Sequence, residues 1–477
     1  MNRSKVKKFT TWMMGILVVP AMATELNYLV VDSAQIHCYD DEKIIDFPSP
    51  GDHYYGQDAQ FSVNPPSYLD QGDGTISDQV TGLMWTQDPG EKMTWAQAVA
   101  GAKTCRIGGY TDWRLPTVKE LYSLINFNGI DPDPMATDSE GLTPFIDRSV
   151  FNFKYGDPMK GERIIDSQWA TSTLYQSTTM GGNQTMFGVN FADGRIKGYP
   201  VTSRRGETLF YTLYVRGNPD YGKNKFTDNG DGTVTDEATG LMWMQSDSGM
   251  GMDWPSALEY AEKQRLAGYG DWRLPSVKEL QSLVEYSRSP DSSDSAAIDP
   301  VFECTEIQNE KGQKDFAQYW SSTTHISSRG VSTAAYVAFG RAMGYMRNQW
   351  MDVHGAGCQR SDPKTGDASR FPKGRGPQGD AIHIDNMVRL VRGGTVVTVV
   401  EEPADVGNTA AEKPVDAQVQ RPEQASGFMM REDKNGDGKV ARTEFRGPPA
   451  HFDHLDKNGD GWIMIDEAPS GPVKRSR

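Results

Sequence analysis

No apolar run in this 477-residue chain approaches the ~20 residues that a helix needs to cross a bilayer. Trp12 to Val19 falls well short, and Val396 to Val400 is only strand-sized. Positive charge is also in deficit: 49 Lys and Arg face 64 Asp and Glu, a net charge of -15. That balance argues against a nucleic-acid partner, which needs concentrated positive charge for phosphate. Histidine and cysteine are scarce, at seven and four residues. His325, His354 and His383 fall in the second half and read as solvated loop residues rather than a metal cluster. Gly-x-Ser-x-Gly, His-Glu-x-x-His and phosphate-loop patterns are missing, so catalysis is not expected.

The N-terminus reads as an export signal. Arg3, Lys5, Lys7 and Lys8 precede the short apolar core, and Ala21-Met22-Ala23 supplies a small-x-small cleavage pattern. Residues 1–23 are therefore expected to be a signal peptide, leaving the mature chain in the periplasm, outside the cell or at its surface. Four cysteines in an exported protein suggest disulfides, with three possible connectivities. Cys38 with Cys105 and Cys304 with Cys358 are favoured, since each pair lies within one half of the chain.

The chain repeats itself. Asp70 to Trp85 reads DQGDGTISDQVTGLMW and Asp228 to Trp243 reads DNGDGTVTDEATGLMW, identical at eleven of sixteen positions. Downstream, Gly108 to Ile125 (GGYTDWRLPTVKELYSLI) matches Ala267 to Val284 (AGYGDWRLPSVKELQSLV). Trp95 and Trp254 sit between these blocks, 159 residues apart. Trp169-Ala-Thr-Ser-Thr echoes Trp320-Ser-Ser-Thr-Thr, and each half closes on Val-Arg-Gly, at Val215 to Gly217 and Val391 to Gly393.

Within each repeat, Gly-Asp-Gly-Thr predicts a tight turn. Helices are predicted after Thr94 and Asp253, acting as N-caps, with Pro255 in the first turn where proline is tolerated. A second helix is predicted through Val118, Leu121, Leu124 and Ile125, and through Val277, Leu280, Leu283 and Val284, spaced to bury one face. Thr117 with Glu120 and Ser276 with Glu279 form capping boxes. Trp85, Trp113, Trp243 and Trp272 read as core rather than as sugar platforms. Arg114 and Arg273 read as members of buried ion pairs.

These ordered blocks, with the YGQDAQF stretch at Tyr55 to Phe61, resemble the Lcl C-terminal domain family over most of residues 27 to 394. The resemblance implies a C-type-lectin-like fold, mixed α and β, and a type member implicated in adhesion to sulfated polysaccharides. The chain departs from the family in carrying Tyr214 and Leu390 where members often have a cysteine before the last Val-Arg-Gly. The Arg-Leu-Pro block also resembles formylglycine-generating enzymes, but the nearby cysteine pair of those enzymes has no counterpart here.

The C-terminus carries a different Asp-Gly pattern. An EF loop presents oxygen ligands from positions 1, 3, 5, 7, 9 and 12 around calcium. Asp433, Asn435 and Asp437 fill positions 1, 3 and 5, Lys439 offers its carbonyl at 7, and Glu444 closes the loop at 12. Asp456, Asn458, Asp460, Trp462 and Glu467 repeat that spacing. Val440 and Ile463, at position 8, suit the short β-bridge that pairs two such loops. Asp70 and Asp228 begin strings of the wrong register for calcium and read as β-turns.

The chain as a whole is expected to be α+β. Its expected parts are a first lectin-like domain over 24–220, a second over 221–394, a flexible linker over 395–427 and a small helical EF-hand pair over 428–477. The function expected is a secreted calcium-binding protein that engages a surface glycan or protein, with Ca2+ ordering the tail; the alternative is a cryptic enzyme related in fold to formylglycine-generating enzymes.

Overall fold

The computed structural model describes residues 26–62, 64–203, 206–394, 397–398, 439–442, 445, 452, 455 and 462–463. The chain divides into two compact units, Met1–Glu401 and Glu402–Arg477. The signal peptide and the expected flexible linker lie outside the described residues, apart from Val397 and Thr398.

The first unit holds both repeats, and each begins on the same four-stranded antiparallel sheet. In repeat one, Tyr68–Asp70, Thr75–Asp78 and Leu83–Thr86 form a meander, and Val215–Gly217 returns to pair with the third strand. Phe226–Asp228, Thr233–Asp236, Leu241–Met244 and Val391–Gly393 reproduce it in repeat two. The Gly-Asp-Gly-Thr block makes the first turn. The Asp70 carboxylate accepts the Gly72 N–H at 2.8 Å, and Asp73 accepts the Thr75 hydroxyl at 2.6 Å. Gly72 and Gly74 sit at φ 73° and 85°, a conformation that a Cβ disfavours. These bonds form the β-turn read from the sequence.

Helices α1 (Trp95–Thr104), α2 (Val118–Tyr122), α3 (Trp254–Lys263) and α4 (Val277–Ser282) start where their caps predict. Thr94, Thr117, Asp253 and Ser276 each accept a backbone N–H from the first turn. Helices α2 and α4 are shorter than predicted. The Ser123 and Ser282 hydroxyls donate back to the Glu120 and Glu279 carbonyls at 2.7 Å. Such back-bonding competes with the helical ladder, and beyond it Leu124 and Ile125 continue in tighter three-residue turns. Their side chains, and those of Leu283 and Val284, are buried nonetheless.

The larger sheet has seven strands and joins the repeats. Gln168–Trp169, Leu174–Thr179, Asn183–Asn190 and Arg195–Pro200 come from repeat one, and Gln318–Ser327, Gly330–Ala338 and Gln359–Pro363 from repeat two. They meet at Ile196 opposite Gln359. Here the sequence alignment slips by one residue. Trp169 bridges Tyr211 as Tyr319 bridges Met387, so Tyr319, not Trp320, is the counterpart of Trp169. The Trp95 indole donates to the Thr171 carbonyl and the Trp254 indole to that of Ser321, which gives the same register.

Two equivalent lysines tie the repeats across an approximate twofold axis. Lys119 Nζ donates to the Ser282 carbonyl at the end of α4 at 2.7 Å, and Lys278 Nζ to the Ser123 carbonyl at the end of α2 at 2.8 Å. Each also binds the chain entering the other repeat: Lys119 the Gly222 carbonyl, Lys278 that of Asp32. Burial pushes both ammonium groups down to about 8.

The leader, residues 26–62, precedes repeat one but packs on repeat two. Gln35 bonds both the N–H and the carbonyl of Thr324, Lys364 Nζ donates to the Asp40 carbonyl, and Gly51 N–H donates to Glu262. Tyr54 packs beside Trp254, and Phe61–Ser62 pairs with Val397–Thr398.

The expected disulfides are not formed; all four cysteines are free thiols. Cys38 is buried in the leader near Asp58 and Lys364 of the second-repeat face, whereas Cys105 ends α1 of repeat one. Cys304 faces Arg389, while Cys358 is enclosed beside Arg360 and Tyr286. Burial pushes the thiols of Cys38 and Cys358 upward, so neither is an activated nucleophile.

In the second unit, Val440–Ala441 and Trp462–Ile463 form a two-stranded antiparallel ribbon with Val440 opposite Ile463. Val440, Ile463, Phe452 and Leu455 are buried together, with Phe445 packed against them.

Two outcomes follow. Thiol titration of unreduced, denatured protein is expected to count four free thiols; a count of none would restore the disulfides. Lys278→Met removes the partner of the buried Ser123 carbonyl and one bond to the half-buried Asp32 carbonyl, and is expected to lower urea-unfolding stability by about 1–3 kcal/mol. Lys119→Met is expected to cost less, because Lys119 borders an open groove. Unchanged midpoints would show that these carbonyls find other partners.

Candidate functional site

Of the ten calcium ligands predicted in the tail, Lys439 and Trp462 are described. Asp433, Asn435, Asp437, Glu444, Asp456, Asn458, Asp460 and Glu467 lie outside the described residues. Lys439 and Trp462 flank the Val440–Ile463 bridge, with the Lys439 ammonium 4.0 Å from the centre of the Trp462 ring. Among the described residues, no group of three His, Cys, Asp or Glu side chains is arranged to hold a metal.

The three histidines of repeat two are neither solvated nor together. His325 and His354 are buried and His383 is half-buried, because the sheet and its loops close over them. Each faces its own carboxylate: His325 Asp131 at 3.7 Å, His354 Asp380 at 3.1 Å and His383 Glu310 at 2.6 Å.

Two of these carboxylates line a cavity of about 160 Å³ where the repeats join in the large sheet, with Asp193, Arg195, Lys197 and Arg360. Arg195 pairs with Asp131 at 2.8 Å, Lys197 with Asp193, and Arg360 with Asp380. Although burial raises them, the facing cations hold Asp131 and Asp380 well below the usual carboxylate range. Burial, aided by Arg360, pushes His354 down to about 4. With their basicity lowered in this way, Asp131, Asp380 and His354 are weak proton acceptors near neutral pH, and the cavity reads as an ion-pair junction. Sequence reading missed it, since its members come from loops and strands with no shared motif.

A second site is built on the Arg-Leu-Pro block. Arg273 makes a two-armed pair with Glu279, both bonds 2.6 Å, and Glu279 also accepts the Ser276 N–H. Thr323 Oγ1 accepts the Val277 N–H at 3.0 Å and donates to Asp58 of the leader. The Phe61 ring lies 5.6 Å from the Arg273 guanidinium. Burial, with Asp32 nearby, pushes Asp58 up to about 7. The same machinery stands in repeat one: Arg114 with Glu120 at 2.6 Å, Thr117 N–H on Glu120, and Val118 N–H on Thr173 at 3.0 Å. Both arginines therefore form ion pairs as read from the sequence, but only that of Arg273 is buried on both sides.

Their surroundings differ. The Arg273 side chain is 6% exposed and that of Arg114 36%. Ser322 and Thr323 are buried, whereas Ser172 is exposed and Thr173 half-buried. Repeat one instead presents a groove of about 710 Å³ lined by Arg114, Thr117, Thr173, Tyr221, Glu285 and Tyr286. One sequence signal marks it: the Gly-Asp-Gly-Thr and Arg-Leu-Pro blocks occur twice, but YGQDAQF occurs once.

The model of the Lcl C-terminal domain family matches the chain twice, over residues 74–216 and 232–354. No curated protein and no solved structure gives a significant match.

Asp58 gives a pH test. With a folded value near 7 against 3.8 in the free carboxylate, the folded state holds a proton that the unfolded state has lost between those limits. Its cost therefore grows as pH rises through this window and is full above 7. Asp58→Asn is expected to stabilise the protein at pH 8 by about 4 kcal/mol, at about 1.4 per pKa unit over the rise from 3.8 to about 7, and to be near neutral at pH 4. Equal effects at both pH values, read by urea unfolding, would contradict this.

Proposed function

The chain belongs to the Lcl C-terminal domain family, carried in two copies, and on that premise we propose that it is an exported calcium-binding protein with a non-catalytic binding role. Its two repeats adopt the C-type-lectin-like fold and engage a surface glycan or protein. The EF-hand pair takes up Ca2+ through Asp433, Asn435, Asp437, Lys439 and Glu444, and through Asp456, Asn458, Asp460, Trp462 and Glu467. The observation that carries the reading is the antiparallel Val440–Ile463 bridge. It couples position 8 of both loops and sits on its own apolar cluster, as paired calcium loops require.

Calcium supplies the positive charge that lets the carboxylates of each loop approach one another, and so stabilises the tail around the bridge. Three carboxylates per loop and a water-filled position 9 suit a dissociation constant of roughly 10⁻⁵ to 10⁻³ M, the range of extracellular modules. The basic, apolar and small-x-small order of the N-terminus supports export. The open groove supports a binding role. A catalytic role draws less support, since the charged junction engages its carboxylates in ion pairs with Arg195, Lys197 and Arg360.

Titration calorimetry of metal-stripped protein is expected to show two calcium sites, with Trp462 emission changing in parallel. Glu444→Gln and Glu467→Gln are each expected to weaken one site at least tenfold, because each removes the two-oxygen ligand. No heat and no emission change at millimolar Ca2+ would refute the reading.

A further inference from the structure

We propose that the open groove of repeat one is a peptide-docking site, for a segment of a partner protein that presents a carboxylate and a phenyl ring spaced as Asp58 and Phe61 are. The inference rests on the reading of the repeats as a binding module. It is carried by a comparison inside the molecule. Two copies of one site lie in the same compact unit; one is filled by the leader and the other is open.

The two lysines set the frame. Lys278 binds the Asp32 carbonyl of the leader, and Lys119 the Gly222 carbonyl of the inter-repeat stretch. From these points both chains run to the same destination, the first strand of the next meander. Tyr68 pairs with Asp78 in one and Phe226 with Asp236 in the other. The leader takes the route from Asp32 to Tyr68, crossing the Arg273 site on the way. The inter-repeat stretch goes directly from Gly222 to Phe226. It has no residues with which to cover Arg114, and the groove of about 710 Å³ is the result.

The filled copy shows what the open one accepts. In the leader, Asp58–Gln60 is a single 3-10 turn held by its own glutamines. The Gln57 side chain accepts the Tyr39 N–H, and that of Gln60 accepts the Gly56 N–H and donates to the Pro48 carbonyl. The glutamines thus shape the turn, leaving Asp58 to take the Thr323 hydroxyl and Phe61 to lie beside Arg273. Thr173 and Arg114 offer the same hydroxyl and guanidinium, with the same capping bonds behind them. The groove also carries Lys119 and Lys223 against Glu120, Glu285 and Asp299. Glu120 is committed to Arg114, and Glu285 accepts the Ser287 N–H and hydroxyl. The hydroxyl is therefore presented to an incoming carboxylate, and the partly exposed guanidinium to the phenyl ring. Peptide docking of this kind uses a preformed groove and a few anchor side chains.

The test uses the full mature chain and a labelled peptide of residues 55–62, read by fluorescence anisotropy. Saturable one-to-one binding is expected, weakened at least tenfold by Phe61→Ala in the peptide and abolished by Asp58→Lys. Thr173→Val, which removes the hydroxyl, is expected to weaken it at least tenfold. Ser172→Trp, which fills the groove mouth and gives up only a hydroxyl bond to the Pro116 carbonyl, is expected to do the same. Both variants should keep the parental unfolding midpoint within a few degrees. No binding at millimolar peptide overturns the proposal, as does binding that neither variant alters, since the peptide then sits elsewhere. A concentration-dependent dimer lost in Ser172→Trp would make a second copy the occupant and also overturn it. Calcium titration is independent of these outcomes, so failure here leaves the tail reading standing, and the reverse.

Discussion

Two lysines reaching across an approximate twofold axis organise this molecule. Each ammonium group sits at the carboxyl end of the other repeat's short helix, where unpaired carbonyls and the helix dipole favour a cation. Each also holds the backbone that is about to enter the opposite repeat. A buried ammonium group is costly, and burial lowers both groups to about 8. The carbonyls offset that cost only if both helices and both entering segments are in place together. The four parts therefore depend on one another.

The crossed packing follows. A segment that precedes one repeat covers the other, and the seven-stranded sheet continues across the boundary. Duplicated sequence has become one folded body in which the copies are not interchangeable. Repeat two is sealed by a long leader carrying Asp58 and Phe61, whereas repeat one is left with its equivalent surface open. Identical motifs thus end in different environments, and the difference between Arg273 and Arg114 lies in what comes before them in the chain rather than in their own neighbourhood.

Much of this was legible in the sequence wherever the signal was local. Caps at Thr94, Thr117, Asp253 and Ser276, the turns at Asp70 and Asp228, the buried tryptophans and the Arg–Glu pairs all depend on residues a few positions apart. The Val440–Ile463 bridge followed from loop spacing alone. Long-range features were not legible. Cys38 is kept from Cys105 by which face the leader covers, while Cys304 beside Arg389 and Cys358 beside Arg360 sit in different surroundings of repeat two, and no spacing rule encodes that. The histidines became buried because strands far apart in sequence close over them. The one-residue slip at Trp169 arose because Trp320 offers a more conspicuous match than Tyr319, although hydrogen bonding selects Tyr319. A single copy of YGQDAQF among duplicated blocks was the one trace of the groove visible without coordinates.

Interdependence of the repeats is the central claim, and the cooperativity of unfolding addresses it directly. Differential scanning calorimetry on residues 26–398 compares the measured enthalpy with the van't Hoff enthalpy of the same transition. A single transition with a ratio near one is the outcome this account requires. Two resolved transitions, each with about half the enthalpy, would mean that the repeats fold separately and that the crossed lysines join finished domains.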